Sequence, residues 1–163
     1  MKPPSIRSAM SPYETARLEF WARGRSVVEM GALLGYSTVV MARVARGVVS
    51  IDRHTGYDNK PNDTERIMRC NLERYSVAKK VTVVVGDYRE VAKWPSDLAF
   101  VDLDGTAATT WAAAWLSQAR LVAIHDFARQ NCQGVARCVS WMNWTRTYRV
   151  IDRAESLVVL RRR

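Results

Sequence analysis

The sequence predicts an α/β domain, a doubly wound and mostly parallel sheet of seven strands that ends in an antiparallel hairpin. Three observations predict it. Five short apolar runs alternate with helical stretches, the pattern of parallel strands joined by crossover helices. The first run, Ser26 to Met30, meets Gly31 and Gly35 and then a helix start, as a ligand-binding βα junction does. Four later runs end at acids, Asp52, Asp87, Asp102 and Asp126, and Asp104 stands two residues beyond Asp102. In open sheets of this kind ligands bind outside the carboxyl ends of the strands, so these carboxylates are expected along one rim.

Length and charge bound the rest. The 163 residues suffice for one domain with a proper core. Residues 1–10, with Pro3, Pro4 and two basic residues, are expected as a flexible arm, and 11–163 as a single domain. Lys and Arg number 25 against 16 Asp and Glu, a net charge of +9, which favours an anionic partner or serves solubility. Cys70, Cys132 and Cys138 lack metal-ligand spacing and read as reduced thiols. No apolar run reaches membrane-spanning length and no long apolar segment follows the N-terminal charges, so a cytoplasmic protein with no membrane partner is expected.

Along the chain, Ser11-Pro12-Tyr13-Glu14 reads as a capping box opening a helix, with Ala16, Leu18, Phe20 and Trp21 as its apolar positions and Gly24 as its stop. After the first strand and its glycine turn, a helix is expected over about Ser37 to Arg46. Val48 to Asp52 is the second strand, and the polar stretch Arg53 to Asn62 is a long loop in which Tyr57 and Asp58 are candidate acceptor contacts. Asn62 or Asp63 caps a helix through Ile67, Met68, Leu72 and Tyr75. Val81 to Val85 is β-branched throughout and reads as a buried parallel strand. A short helix over Tyr88 to Lys93 follows, then a strand ending at Asp102, an alanine-rich helix over Ala107 to Ala119, and a strand from Leu121 to Ile124 ending at His125-Asp126. A helix through Val135, Val139 and Met142 leads to the closing hairpin, whose exposed edge permits a homodimer. Trp111 with Trp115, and Trp141 with Trp144, have helical spacing, and at least one of each pair is expected in the core.

Asp52 lies 21 residues after Gly31, the spacing at which an acid after a second strand accepts hydrogen bonds from both ribose hydroxyls of an adenosine ligand. That reading covers both a nicotinamide dinucleotide and S-adenosylmethionine. A dinucleotide turn needs glycine where this chain has Leu33, so a short NAD-dependent oxidoreductase is disfavoured.

Val28-Glu29-Met30-Gly31 through Gly35-Tyr36-Ser37-Thr38, Ser50-Ile51-Asp52, Gly86-Asp87, Val101-Asp102-Leu103-Asp104, Ile124-His125-Asp126-Phe127 and Gly134-Val135 together resemble the class I S-adenosylmethionine-dependent methyltransferases, in their small O-methyltransferase-like branch. The resemblance covers residues 11–162 and rests on the order of the motifs. It implies a Rossmann-like sheet. It further implies that Glu29, Gly31, Gly35 and Ser37 hold the methionine part of the cofactor, that Asp52 binds the ribose, and that Asp87 and Tyr88 face the adenine. In metal-dependent members, acids after the fourth and fifth strands bind a divalent cation, and Asp102, Asp104 and Asp126 correspond, with Mg²⁺ as the expected ion. The pattern departs in two places: Gly105 stands where a His is often found, and Ala119-Arg120 where Gly-Gly is often found.

The implied reaction is methyl transfer to a small hydroxylated or sugar-like acceptor, in which positioning does much of the work and a base removes the hydroxyl proton. His125 is the candidate base, with Asp126 and Asp102 beside it in the catalytic set; a structural His pinned by Asp126 is the plain alternative. Without a metal, one of these acids orients the cofactor's amino group, a role open to Asp102. Two other functions compete. The basic balance and Arg161-Arg162-Arg163 would serve an RNA or DNA methyltransferase, and a non-catalytic S-adenosylmethionine-fold binding protein would keep the site without the chemistry.

Overall fold

A computed structural model of the chain describes residues 4–55 and 63–163. Its seven strands are β1 (Ser26–Met30), β2 (Gly47–Asp52), β3 (Val81–Val85), β4 (Leu98–Val101), β5 (Leu121–Ile124), β6 (Tyr148–Ala154) and β7 (Leu157–Arg162). They form one sheet in the order β3-β2-β1-β4-β5-β7-β6. β1 to β5 are parallel, and β7 runs antiparallel between β5 and β6. The helices are α1 (Pro12–Ala22), α2 (Tyr36–Ala42), α3 (Thr64–Arg74), α4 (Ala107–Ser117) and α5 (Gln133–Trp144).

The central strands are apolar on both faces because both faces are covered. Val27, Leu98, Phe100 and Ala123 point into a core shared with α1, α2 and α3. Their neighbours Val28, Ala99, Val101 and Val122 point into a second core under α4 and α5. Because β1 to β5 run parallel, the residues that follow their carboxyl ends meet along the same rim. The strand order reverses between β1 and β4, where a crevice opens at the carboxyl ends.

Several elements differ from expectation. β3 is the sheet edge and only half-buried, with Val85 52% exposed, because only a 3₁₀ turn over Tyr88–Lys93 follows it on one face. α2 stops at Ala42, short of Arg46. In α1 the buried stripe is Glu14, Thr15, Leu18 and Ala22, while Phe20 is exposed and Trp21 donates its indole N–H to Asp152 at 2.6 Å. A polar stripe can face inward here because Thr15 bonds the Tyr36 hydroxyl and Glu14 accepts two backbone amides. Neither Trp141 nor Trp144 enters the core, since Val135, Cys138, Val139 and Met142 already form the inward face of α5.

The stretch 4–10, read from sequence as an arm, lies against the body: Ile6 and Met10 pack on the first core, and the Ser5 amide bonds the Tyr75 hydroxyl at 2.7 Å. Tyr57, Asp58 and Asn62 lie outside the described residues, and Asp63 caps α3. Among the described residues no helix is long and apolar enough to cross a membrane.

Candidate active site

A cleft of about 740 Å³ opens at the carboxyl ends of the strands. Its walls are the glycine turn after β1, Asp52 and Arg53 after β2, Gly86 and Tyr88 after β3, Asp102 to Asp104 after β4, and His125 and Asp126 after β5. Residues Arg7 to Met10 line it from the N-terminal segment. A smaller cavity of about 190 Å³ at the amino ends holds none of the candidate residues.

The turn is shaped by two glycines, for reasons the sequence does not reveal. Gly31 has φ +92°, and a Cβ there would sit 1.9 Å from the carbonyl oxygen of Asp102. What this glycine admits is the end of β4. Gly35, at φ +84°, opens α2, and a Cβ there would sit 2.9 Å from Cγ of Met68 on α3. Its space is taken by packing, and Gly35 is not part of the cleft wall.

Asp52 is tied to that turn. Its Oδ2 accepts the amides of Ala32 at 2.7 Å and Leu33 at 2.8 Å, and its Oδ1 accepts the amide of His54 at 2.7 Å. A carboxylate offers about four acceptor positions, so Oδ1 keeps capacity for a ligand hydroxyl.

Glu29 is fully buried behind the turn. It accepts hydroxyls from Ser37 at 2.5 Å, Thr38 at 2.5 Å and Ser50 at 2.7 Å. Burial pushes its carboxyl up to about 7 against the pull of those hydroxyls, with the charge of Asp102 adding to the rise. Glu29 therefore anchors the start of α2 to β1 and β2, and Ser37, which does line the cleft, spends its hydroxyl on Glu29.

Asp87 caps the 3₁₀ turn and pairs with Arg89 and Arg53, whose guanidinium groups hold its carboxyl well below the usual range. Its neighbours Tyr88, Arg89 and Arg53 line the cleft. Asp104 is exposed and turned toward α4, where it accepts the Thr106 amide at 3.1 Å and the Thr109 hydroxyl at 3.1 Å.

Asp102, His125 and Asp126 do come together. His125 is 2% exposed, with Nδ1 3.4 Å from Asp102 and 3.2 Å from Asp126, and Nε2 3.6 Å from Glu14. Neither ring nitrogen makes a well-aligned hydrogen bond. Burial alone would lower the imidazole's pKa, but the carboxylates of Asp102, Asp126 and Glu14 together outweigh it and raise it above 6.5. The three side chains Asp102, His125 and Asp126 can bring ligand atoms within 4.8 Å of one another. Asp104 stands outside this group. Asp126, in the left-handed region at φ +61°, also meets Arg129, whose Nε is 2.6 Å from Oδ1.

Sequence reasoning missed Glu14 and the cleft arginines Arg7, Arg53, Arg89 and Arg129. In the sequence Glu14 reads only as the N3 residue of its capping box, and single arginines in loops carry no spacing signal.

Comparison with known proteins gives one consistent family. Residues 28–127 match the family model described as a methyltransferase domain. The chain is 32% identical over 114 residues to catechol O-methyltransferase of Mycobacterium tuberculosis, covering 66% of this chain. It spans half the length of that relative. Among solved structures it resembles cofactor-bound Rv0187 from MTB, at 24% identity and a TM-score of 0.75, over 97% of this chain and 83% of that one. It also resembles the O-methyltransferase of Bacillus cereus in complex with SAH, at 20% identity and a TM-score of 0.68, over 95% and 82%.

Proposed function

The chain belongs to the methyltransferase-domain family, and from that premise we propose that it transfers the methyl group of S-adenosylmethionine to a hydroxyl of a small anionic acceptor. One observation carries the cofactor reading: the amides of Ala32 and Leu33 are spent on Asp52. A diphosphate would need such amides for itself. A ribose needs the carboxylate, and Asp52 faces the cleft with acceptor capacity left. The relatives, a catechol O-methyltransferase and an O-methyltransferase in complex with SAH, support the same direction.

Bound in this cleft, S-adenosylmethionine would supply an electrophilic sulfonium methyl for an acceptor oxygen. The residues of the chain then have separable tasks. Gly31 lets the turn close over the end of β4, which fixes Asp102 relative to Asp52. Glu29 holds Ser37 and Thr38 and acts as a positioning residue. Tyr88 presents a ring to the adenine side, with Asp87 holding the arginines beside it. His125, once neutral, takes the hydroxyl proton, and Asp102 and Asp126 stabilise the imidazolium that results.

The site does not fit magnesium. Mg²⁺ demands an octahedron of oxygens, whereas the converging set includes an imidazole, and the Arg129 guanidinium already sits against Asp126. Asp104, the third oxygen donor expected from sequence, is engaged by Thr106 and Thr109. Positive charge in the cleft comes instead from Arg7 and Arg129, which line it together with Asp52. Arg129 uses Nε on Asp126 and Nη2 on the Ala9 carbonyl, leaving Nη1 for a carboxylate or phosphate.

The test is transfer of labelled methyl from S-adenosylmethionine to paired acceptors, hydroxylated carboxylates or phosphates and their uncharged analogues. The proposal expects methylated product from the anionic member of a pair and an Arg129→Gln variant that loses the preference. Product from neither member, with the cofactor bound, would refute it.

A further inference from the structure

Basic residues precede four of the five parallel strands at their amino ends, Arg25 before β1, Arg46 before β2, Lys80 before β3 and Arg120 before β5, while Asp97 precedes β4 and pairs with Arg46. Arginines without a carboxylate partner gather at the corner formed by β5, β7 and β6. There the Arg162 amide bonds the Arg120 carbonyl at 2.9 Å and the Arg163 amide bonds the Thr147 carbonyl at 3.1 Å. Arg149 and Arg161 pair across β6 and β7. These hydrogen bonds and registers bring the backbones of Arg120, Arg146, Arg149, Arg161, Arg162 and Arg163 to one corner of the sheet; by strand alternation Arg162 shares the face of α4 and α5 with Tyr148, and Arg149 and Arg161 share the opposite face. The ion pairs among the described residues engage other arginines and none of these six.

A row of indoles continues the same corner. Arg162 lies over the Trp115 ring at 4.9 Å, Trp115 stacks on Trp111 at 5.5 Å, and Trp111 meets Trp141 edge-on at 4.5 Å. Trp144, one turn on from Trp141, is 78% exposed, and Trp115 and Trp141 are each 46% exposed. Arg137, one turn before Trp141, is the single charged residue in the two helices α4 and α5.

We propose that this corner is a docking platform for single-stranded nucleic acid, separate from the cleft. Exposed aromatic rings beside cations without carboxylate partners are what such strands need: phosphates take the arginines, and unstacked bases lie on Trp141 and Trp144, since Arg162 and Trp111 already lie against Trp115. A duplex would offer the phosphates but not the base faces. A second copy of this chain is a poor occupant, because a two-fold contact would set one arginine cluster against the other.

The test is a titration of the whole protein with an oligouridine of about 20 nucleotides at low salt, read by tryptophan fluorescence and anisotropy. Heparin, a duplex of equal length and polyglutamate serve as competitors. The proposal expects fluorescence quenching, tighter binding of the single strand than of duplex or heparin, and affinity that falls steeply with salt. Trp144→Ala should weaken the oligouridine by roughly fivefold or more while leaving heparin unchanged. So exposed a side chain can be removed without unfolding the chain, and unchanged S-adenosylhomocysteine binding checks this. Equal binding of heparin and oligouridine without quenching would overturn the proposal, as would preference for polyglutamate, quenching caused by self-association in sedimentation, or no binding.

Discussion

Nε2 of His125 lies 3.6 Å from Oε2 of Glu14, and both side chains are 2% exposed. The same Glu14 accepts the Ser11 amide in the α1 capping box and the Ser156 amide in the β6–β7 turn, each at 2.8 Å. One carboxylate therefore couples a helix start, the closing hairpin and the candidate base.

That coupling sets a pH dependence. The carboxylates of Asp102, Asp126 and Glu14 raise His125 above its ordinary 6.5 against the pull of burial, so the neutral imidazole that can act as a base forms at higher pH than in a free histidine. Methyl transfer should rise with pH along a limb lying above 6.5. Stability from the imidazolium is full below 6.5 and is lost as pH rises through the folded value. Glu14→Gln should move both the rate limb and the His125 NMR titration to lower pH. An unmoved titration would show that Glu14 does not act on His125.

Glu29 should make the protein less stable in base. Its carboxyl rises from 4.5 to about 7 on folding, so the folded state holds the proton more tightly and stability falls as pH rises between those values. The loss is about 3 kcal/mol. Urea unfolding at pH values below and above this window should show Glu29→Gln gaining on the parent by up to that amount at the higher pH. A difference that does not change with pH would contradict the assignment.

Gly31→Ala should cost about 3 kcal/mol or more, since the new methyl meets the Asp102 carbonyl and the backbone is left-handed. Thermal unfolding measures the loss. Because the clash displaces the end of β4, cofactor affinity should fall with it; Gly24→Ala, at a glycine with nothing within 4 Å of a Cβ, should spare affinity.

Removing metal should not matter. With Arg129 against Asp126 and an imidazole in the converging set, methyl transfer in excess EDTA should stay within about twofold of the untreated rate. Loss of activity restored by Mg²⁺ would show that Arg129 yields its place to a cation.

Much of this architecture is legible in the sequence because strand ends carry marks. Gly31 and Gly35 fix the first turn, and Asp52, Asp102 and Asp126 follow apolar runs whose lengths are unambiguous, so three of the cleft's acids can be placed by counting. Burial is less legible. The valines of β3 look like an interior strand, yet strand order makes them an edge, and order is a tertiary property. Side-chain direction is less legible still. Asp104 turns to its own helix cap, Glu29 faces α2, and Glu14 reaches a histidine 111 positions away, and no local spacing reports such pairings.

The most direct test of the central claim is calorimetric titration with S-adenosylhomocysteine, with NADH in parallel, on the parent and on Asp52→Ala. The account predicts that S-adenosylhomocysteine binds the parent and NADH does not. Loss of a charged hydrogen-bond acceptor should weaken the variant by roughly tenfold or more. Binding of NADH in place of the adenosyl ligand, or equal affinity of parent and variant for S-adenosylhomocysteine, would contradict it.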